Sequence, residues 1–154
     1  MPQTTLKKII SDGQLGVDRA ALDVARAFGL SWGGWCTKGC PAVNGVTDER
    51  LHLKQTKNAS APQRNIQNVE ESDATLVLSM GCSSENSEHI RAISLKVGKP
   101  CKKVDLNRMP DSSGVAEWLS TNNLETLNIF GPDGASVPEA YKKSRDFLTK
   151  VIAG

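Results

Sequence analysis

The segment Ser11-Asp12-Gly13-Gln14-Leu15-Gly16 has the residue types needed to hold an anion. Its glycines let backbone come close to a ligand. The residues after it carry helical periodicity, and the first N–H groups of a helix have no intrahelical acceptor and sit at the positive end of its dipole. The segment reads either as an anion cradle or as a plain tight turn. It is not a Walker-type phosphate loop, because no Gly-Lys-Ser/Thr follows, and it does not have the dinucleotide spacing Gly-x-Gly-x-x-Gly. The candidate ligand-binding residues here are Asp12, Gly13, Gln14, Gly16, Val17, Asp18 and Arg19. Asp18 falls in the first helical turn, where it caps or complements the dipole. Arg19 either pairs with Asp18 or Asp23 or turns toward a bound anion.

Two more segments offer polar groups at strand ends. Ser79 to Ser87 combines hydroxyls, a thiol and a carboxylate, with Gly81, Cys82, Ser83, Ser84 and Glu85 as candidates. Cys82 is either a thiol activated by a helix N-terminus or a loop thiol without a role. Gly131 opens the third segment, Gly131 to Ser136. Arg64 and Asn68 are four residues apart and share a helical face, as do Gln63 and Gln67; such a face is either solvated or turned to the site. Lys38, Gly39 and Arg50 lie in a long polar stretch. Lys38, Arg50 and Lys54 there add positive charge if that stretch folds over the pocket, and otherwise serve solubility. No Ser/His/Asp set is apparent, since His52 and His89 lie outside these segments. Cys36, Cys40, Cys82 and Cys101 lack the spacing and partners of a four-ligand zinc site and read as free thiols, two or three of them packed.

The elements that must position these groups alternate. Strands are expected at Leu6–Ser11, Leu30–Trp35, Ala74–Ser79, Lys102–Leu106 and Leu124–Phe130. Helices are expected at Val17–Phe28, Pro62–Glu71, Asn86–Val97, Asp111–Leu119 and Pro138–Ile152, with Asp111-Ser112-Ser113 supplying N-cap candidates. In Val17–Phe28 the apolar residues Val17, Ala20, Ala21, Val24 and Phe28 recur at helical spacing. Cys36 to Ala61 reads as an irregular loop, of a length that in a compact domain is usually functional or partly disordered. This alternation predicts an α/β fold: one Rossmann-like three-layer domain over residues 1–154, with a mostly parallel five-stranded sheet and helices on both faces. Ligands of such sheets bind at the carboxyl ends of the strands, near the switch in strand order.

The chain has 154 residues, 38% apolar and 23% charged, with a net charge of +2, so it can bury a core without disulfide or metal staples. That charge gives no electrostatic footprint for duplex nucleic acid or an anionic membrane. No apolar run approaches the roughly 20 residues that span a bilayer, and the start, Met1-Pro2-Gln3-Thr4-Thr5, has no signal pattern. A cytoplasmic protein is expected.

Lys8-Ile9-Ile10-Ser11-Asp12-Gly13-Gln14-Leu15-Gly16-Val17-Asp18-Arg19-Ala20-Ala21-Leu22-Asp23 closely resembles the opening of the molybdenum-carrier family. That family belongs to the SLOG group of Rossmann-like proteins, which also holds the lysine-decarboxylase-like, cytokinin-activating enzymes. Gly33 to Gly39, Asp48-Glu49-Arg50, Arg64 to Val69, Ser72 to Leu76 and Leu127 to Pro132 resemble further family segments in the same order. The resemblance implies an anion-accepting pocket for a small anionic ligand: molybdate, an oxomolybdate cluster or the molybdenum cofactor. It also implies a binding protein rather than an enzyme, and a homodimer or homotetramer, in which Trp32, Trp35 and Trp118 lie either at the contact or in the core. The alternative is an enzyme or sensor acting on a nucleotide-derived ligand. Against it, the Pro-Gly-Gly-x-Gly-Thr-x-x-Glu motif of the related hydrolases is absent. The family's first loop usually reads Gly-Gly-Gln-Thr-Gly, whereas this chain has Asp12 and Leu15 there. Two like charges about 4 Å apart cost on the order of 4 kcal/mol at an effective dielectric near 20. Asp12 must therefore point away, pair with Lys38 or Arg19, or mark a changed ligand.

Overall fold

Ala74–Ser79 is buried along its whole length, as a strand covered by helices on both faces must be. It is β4 in a computed structural model that describes residues 5–11, 16–36, 53–55, 61–81, 85–108, 110–131 and 139–153. The other strands are β1 (Lys8–Ile10), β2 (Ser31–Cys36), β3 (Leu53–Gln55), β5 (Cys101–Asp105) and β6 (Thr126–Phe130). The described helices are α1 (Val17–Ala27), α2 (Ala61–Glu70), α3 (Glu85–Val97), α4 (Ser112–Thr121) and α5 (Ala140–Ala153), with a single 3₁₀ turn at Leu106–Arg108.

The strands form one sheet in the order β3-β2-β1-β6-β4-β5, and every described pairing is parallel. The five expected strands are all present, and the α/β Rossmann-like architecture is as expected. The sixth strand, β3, corrects the reading of residues 36–61 as irregular throughout. Leu53-Lys54-Gln55 has no alternation to betray it; it is held by backbone pairing with Gly34, Trp35 and Cys36.

Alternation along the central strands divides the core. Ile9, Leu76, Leu78, Leu127 and Ile129 face one side, in a cluster with Val17 and Ala21 of α1, Leu119 of α4 and Leu148 of α5. Val77 and Phe130 face the other, against Val69 of α2 and Ile90 and Ile93 of α3. Each fully buried Leu or Ile contributes about 1.5–3 kcal/mol from apolar burial. On α1, Val17, Ala20, Ala21 and Val24 are buried at the spacing expected and Ala25 joins them, the small alanines letting the helix lie close to its neighbours, whereas Phe28, expected on that face, lies past the helix end and is exposed. Trp32 and Trp118 pack against the larger cluster. Asp111 caps α4, as expected, by accepting a hydrogen bond of 2.9 Å from the Ser113 N–H. Among the described residues, no helix is long and apolar enough to cross a membrane.

Candidate functional site

Three neighbouring strands, β1, β6 and β4, end beside one another, so the three polar segments singled out in the sequence leave adjacent strand ends. The helices that follow β1 and β6 share one face of the sheet, and the helix that follows β4 is on the other. The switch falls between β6 and β4, and the crevice that such a switch leaves at the carboxyl ends is the usual ligand position in sheets of this kind.

The α1 N-terminus enters that crevice. Gly16 is its N-cap, with φ 98° and ψ −134°, a backbone state that favours glycine. Its carbonyl accepts from the Ala20 N–H at 3.0 Å, and the N-cap makes no side-chain cap among the described residues. Asp18 is buried in the first turn. Its carbonyl and Oδ1 accept from the Ser11 hydroxyl at 3.0 and 3.2 Å, tying α1 to the end of β1. Gly131, directly after β6, stands against the same turn. A Cβ there would lie 2.6 Å from Val17 Cγ2 and 2.7 Å from the Leu78 carbonyl oxygen. The structure thus brings Gly16, Val17, Asp18 and Gly131 together, with Ser11 as a member that sequence reasoning did not single out.

Arg64 borders the crevice from the opposite face. It is buried, its guanidinium lies 5.8 Å from the centre of the Phe130 ring, and Nε and Nη2 both donate to Asn65 Oδ1 at 3.1 and 2.9 Å. Asn65 Nδ2 in turn meets His89 Nδ1 at 3.3 Å. Asn68 has a different role. Its Oδ1 accepts from the Trp35 N–H at 2.7 Å, and its Nδ2 donates to the Trp35 carbonyl at 3.0 Å. It binds the end of β2 to α2 and offers the ligand little. The Trp35 indole N–H donates to the Glu71 carboxylate. The Oε1 atoms of Gln63 and Gln67 are buried without a donor among the described residues.

Arg19 leans toward α5. Its Nε donates to Asp23 Oδ1 at 3.2 Å, which selects Asp23 over Asp18 as its partner. Tyr141 donates to the other Asp23 oxygen at 2.6 Å. Burial, reinforced by Asp23, pushes the Tyr141 hydroxyl above the ordinary tyrosine value. Asp23 is named in the sequence as a partner for Arg19, but its bond to Tyr141 is not legible there, because the two lie 118 residues apart.

The β4 end is arranged less favourably for a ligand. The Gly81 N–H donates to Asp105 Oδ1 at 3.0 Å, so it points to β5 and is not free for an anion. Glu85 is exposed in the first turn of α3. Asp12, Gly13, Gln14, Lys38, Gly39, Arg50, Cys82, Ser83 and Ser84 lie outside the described residues. Of the cysteines, Cys101 is a free thiol on β5, pushed up from its ordinary value by burial, which Ser94 and Arg91 partly oppose. Among the described residues no three His, Cys, Asp or Glu side chains gather as metal ligands. Among the described residues, cavities open elsewhere: one of about 300 Å³ over β1 and β2 beside Trp35 and Glu71, and one of about 570 Å³ between α3 and the start of β5. Neither is lined by the α1 N-terminus.

Comparison with known proteins fits this geometry. Residues 9–152 match the model of the circularly permutated YpsA SLOG family. The fold superposes with a TM-score of 0.88 on the crystal structure of the "Putative molybdenum carrier protein" from Syntrophus aciditrophicus SB. The two are 33% identical, over 99% of this chain and 98% of that one. No match is found among curated proteins. Counted from β6 as the first strand, the sheet reads 4-3-2-1-5-6, a doubly wound order with one switch. By sequence match and by fold, the chain belongs to the circularly permutated YpsA SLOG family.

Proposed function

We propose that this protein binds a small oxyanion, or a molecule that carries one, in the crevice at the carboxyl ends of β1, β6 and β4, and that it does so without catalysis. The observation that carries the reading is the α1 N-terminus, which opens on a glycine N-cap without a side-chain cap among the described residues and meets Gly131 at the switch in strand order. The first-turn N–H groups and the helix dipole suit an anion. The absence of a side chain at Gly16 leaves backbone open to a ligand, and glycine at position 131 lets β6, β4 and α1 close together beside it. Arg64 on one face and Arg19 on the other add cationic donors near the same strand end. The structural relative carries a molybdenum-carrier name, and molybdate, an oxomolybdate cluster or the molybdenum cofactor is accordingly the cargo we propose. Its oxygens would be the atoms that backbone N–H and guanidinium groups recognise.

The test is to incubate purified protein with molybdate, then with a panel of nucleoside monophosphates, and to measure bound molybdenum and the melting temperature. At a ligand concentration of about 100 times Kd, binding stabilises by about 2.7 kcal/mol, a rise of roughly 5–10 °C for a chain of this size. Bound molybdenum with such a rise is the expected result. Stabilisation by one nucleotide, with no molybdenum retained, would replace the carrier reading with that of a nucleotide-directed enzyme or sensor.

A further inference from the structure

We infer that Tyr141 and Asp23 are positioning residues that aim the Arg19 guanidinium at the bound oxyanion, so that the ligand site extends to the seam between the first turns of α1 and α5. The inference rests on the oxyanion reading above and adds to it residues from a helix 118 positions away.

The seam is built from one carboxylate used twice. Asp23 Oδ1 takes the Arg19 Nε–H at 3.2 Å and Oδ2 takes the Tyr141 hydroxyl at 2.6 Å, so one carboxylate is held from α1 and α5 together. The Tyr141 ring is held in turn by the Arg145 guanidinium, 5.6 Å from its centre. This arrangement fixes one edge of the Arg19 fork. The far nitrogen, Nη1, is closed to solvent and has no acceptor among the described residues. An arginine presents five N–H donors in a rigid plane. With Nε committed to Asp23, the plane leaves Nη1 as a charged donor without a partner among the described residues, on a side chain that starts three residues after the helix N-cap Gly16. Buried donors in folded proteins are nearly always paired, and an oxygen of a bound oxyanion supplies the missing acceptor. Asp23 offsets the charge of Arg19, so the clamp contributes direction more than net charge. Ordering a long side chain before the ligand arrives removes part of the entropy cost of binding.

Tyr141 is the chain's one tyrosine, which makes its ionisation a reporter of the seam in the unmodified protein. Burial and the bond to Asp23 already hold its hydroxyl protonated above the ordinary value. An anion seated on Arg19 adds negative charge nearby and raises it further.

The experiment follows tyrosinate absorbance against pH in the wild-type chain with and without molybdate, and measures molybdate affinity calorimetrically in the wild type, Tyr141→Phe and Asp23→Asn. The expected results are a molybdate-dependent rise in the pH of tyrosinate formation and a loss of affinity of about tenfold in Tyr141→Phe, the scale of one hydrogen bond to a charged group. Asp23→Asn should lose at least as much. Wild-type binding that leaves the tyrosinate titration unmoved, with Tyr141→Phe binding as well as wild type, overturns this inference and leaves the oxyanion reading standing. A wild-type chain that binds no molybdate overturns both. The titration uses the wild type alone, so it decides the matter even if a variant fails to fold.

Discussion

Gly131 shows how far one residue can set the geometry of the crevice. Its Cβ position is occupied by Val17 and by the Leu78 carbonyl, so three elements meet where a side chain would be. Gly131→Ala must push α1 or β4 aside, and backbone does not give cheaply. Overpacking of this kind costs about 1–3 kcal/mol. Urea denaturation should show the unfolding free energy fall by that amount, as a lower midpoint with the slope unchanged; an unchanged midpoint would mean that the close approach does not exist. Gly34 is a second such contact. With φ 134° it brings β2 to the end of β1, where a Cβ would lie 2.2 Å from the Ser11 carbonyl oxygen. Both glycines are plain in the sequence, but only the fold says what they touch. Gly16 was legible as the opener of a helix, whereas the commitment of the Gly81 N–H to Asp105 was not.

The element that frames the site on its second face is α2, and its placement depends on polar ties more than on apolar burial. Asn68 grips both backbone groups of Trp35, while Lys99 Nζ donates to the Glu70 and Ser72 carbonyls at 2.6 and 2.7 Å and closes the helix end. Asn68→Ala leaves the Trp35 N–H and carbonyl without these partners, at a cost of about 1–3 kcal/mol. Chemical denaturation of the variant checks this, and a loss below about 0.5 kcal/mol, the usual range of a neutral surface change, would show that α2 is held by other means. Helical spacing put Arg64 and Asn68 on one face and made both candidates for the site. The structure gives them different work: Arg64 lies over Phe130 at the crevice, and Asn68 fastens β2 to α2. Spacing defines a face but not what stands opposite it.

At the scale of the whole molecule, the sheet is deepest at β1, β6 and β4 and thins toward β3 and β5. The strands that carry the crevice are therefore the most stable ones. Amide hydrogen exchange should be slowest in β4 and β6, near the limit set by global unfolding, and fast in the three-residue edge strand β3. Protection of β3 equal to that of β6 would contradict this gradient. The insertion of β6 between β1 and β4 explains why the last strand of the chain has the sheet's central position. It also places the N-termini of α1 and α5 on one face beside the same crevice, which is the setting for the seam at Tyr141 and Asp23.

Much of this was written locally. The helical spacing of Val17, Ala20, Ala21 and Val24, the unbroken apolar run of Ala74–Ser79 and the cap at Asp111 fixed α1, β4 and α4 almost to the residue, because each depends on neighbours a few positions away. The alternation of strands and helices fixed the fold class for the same reason. Strand order, the short polar β3, and the partners of Asp18, Asn68 and Arg19 depend on residues distant in the chain, whose proximity follows only from how the crossovers wind. A periodicity states which side of an element is apolar. Which strands become neighbours, and so which glycine meets which helix turn, is decided when the whole sheet closes its hydrogen bonds and buries both faces at once.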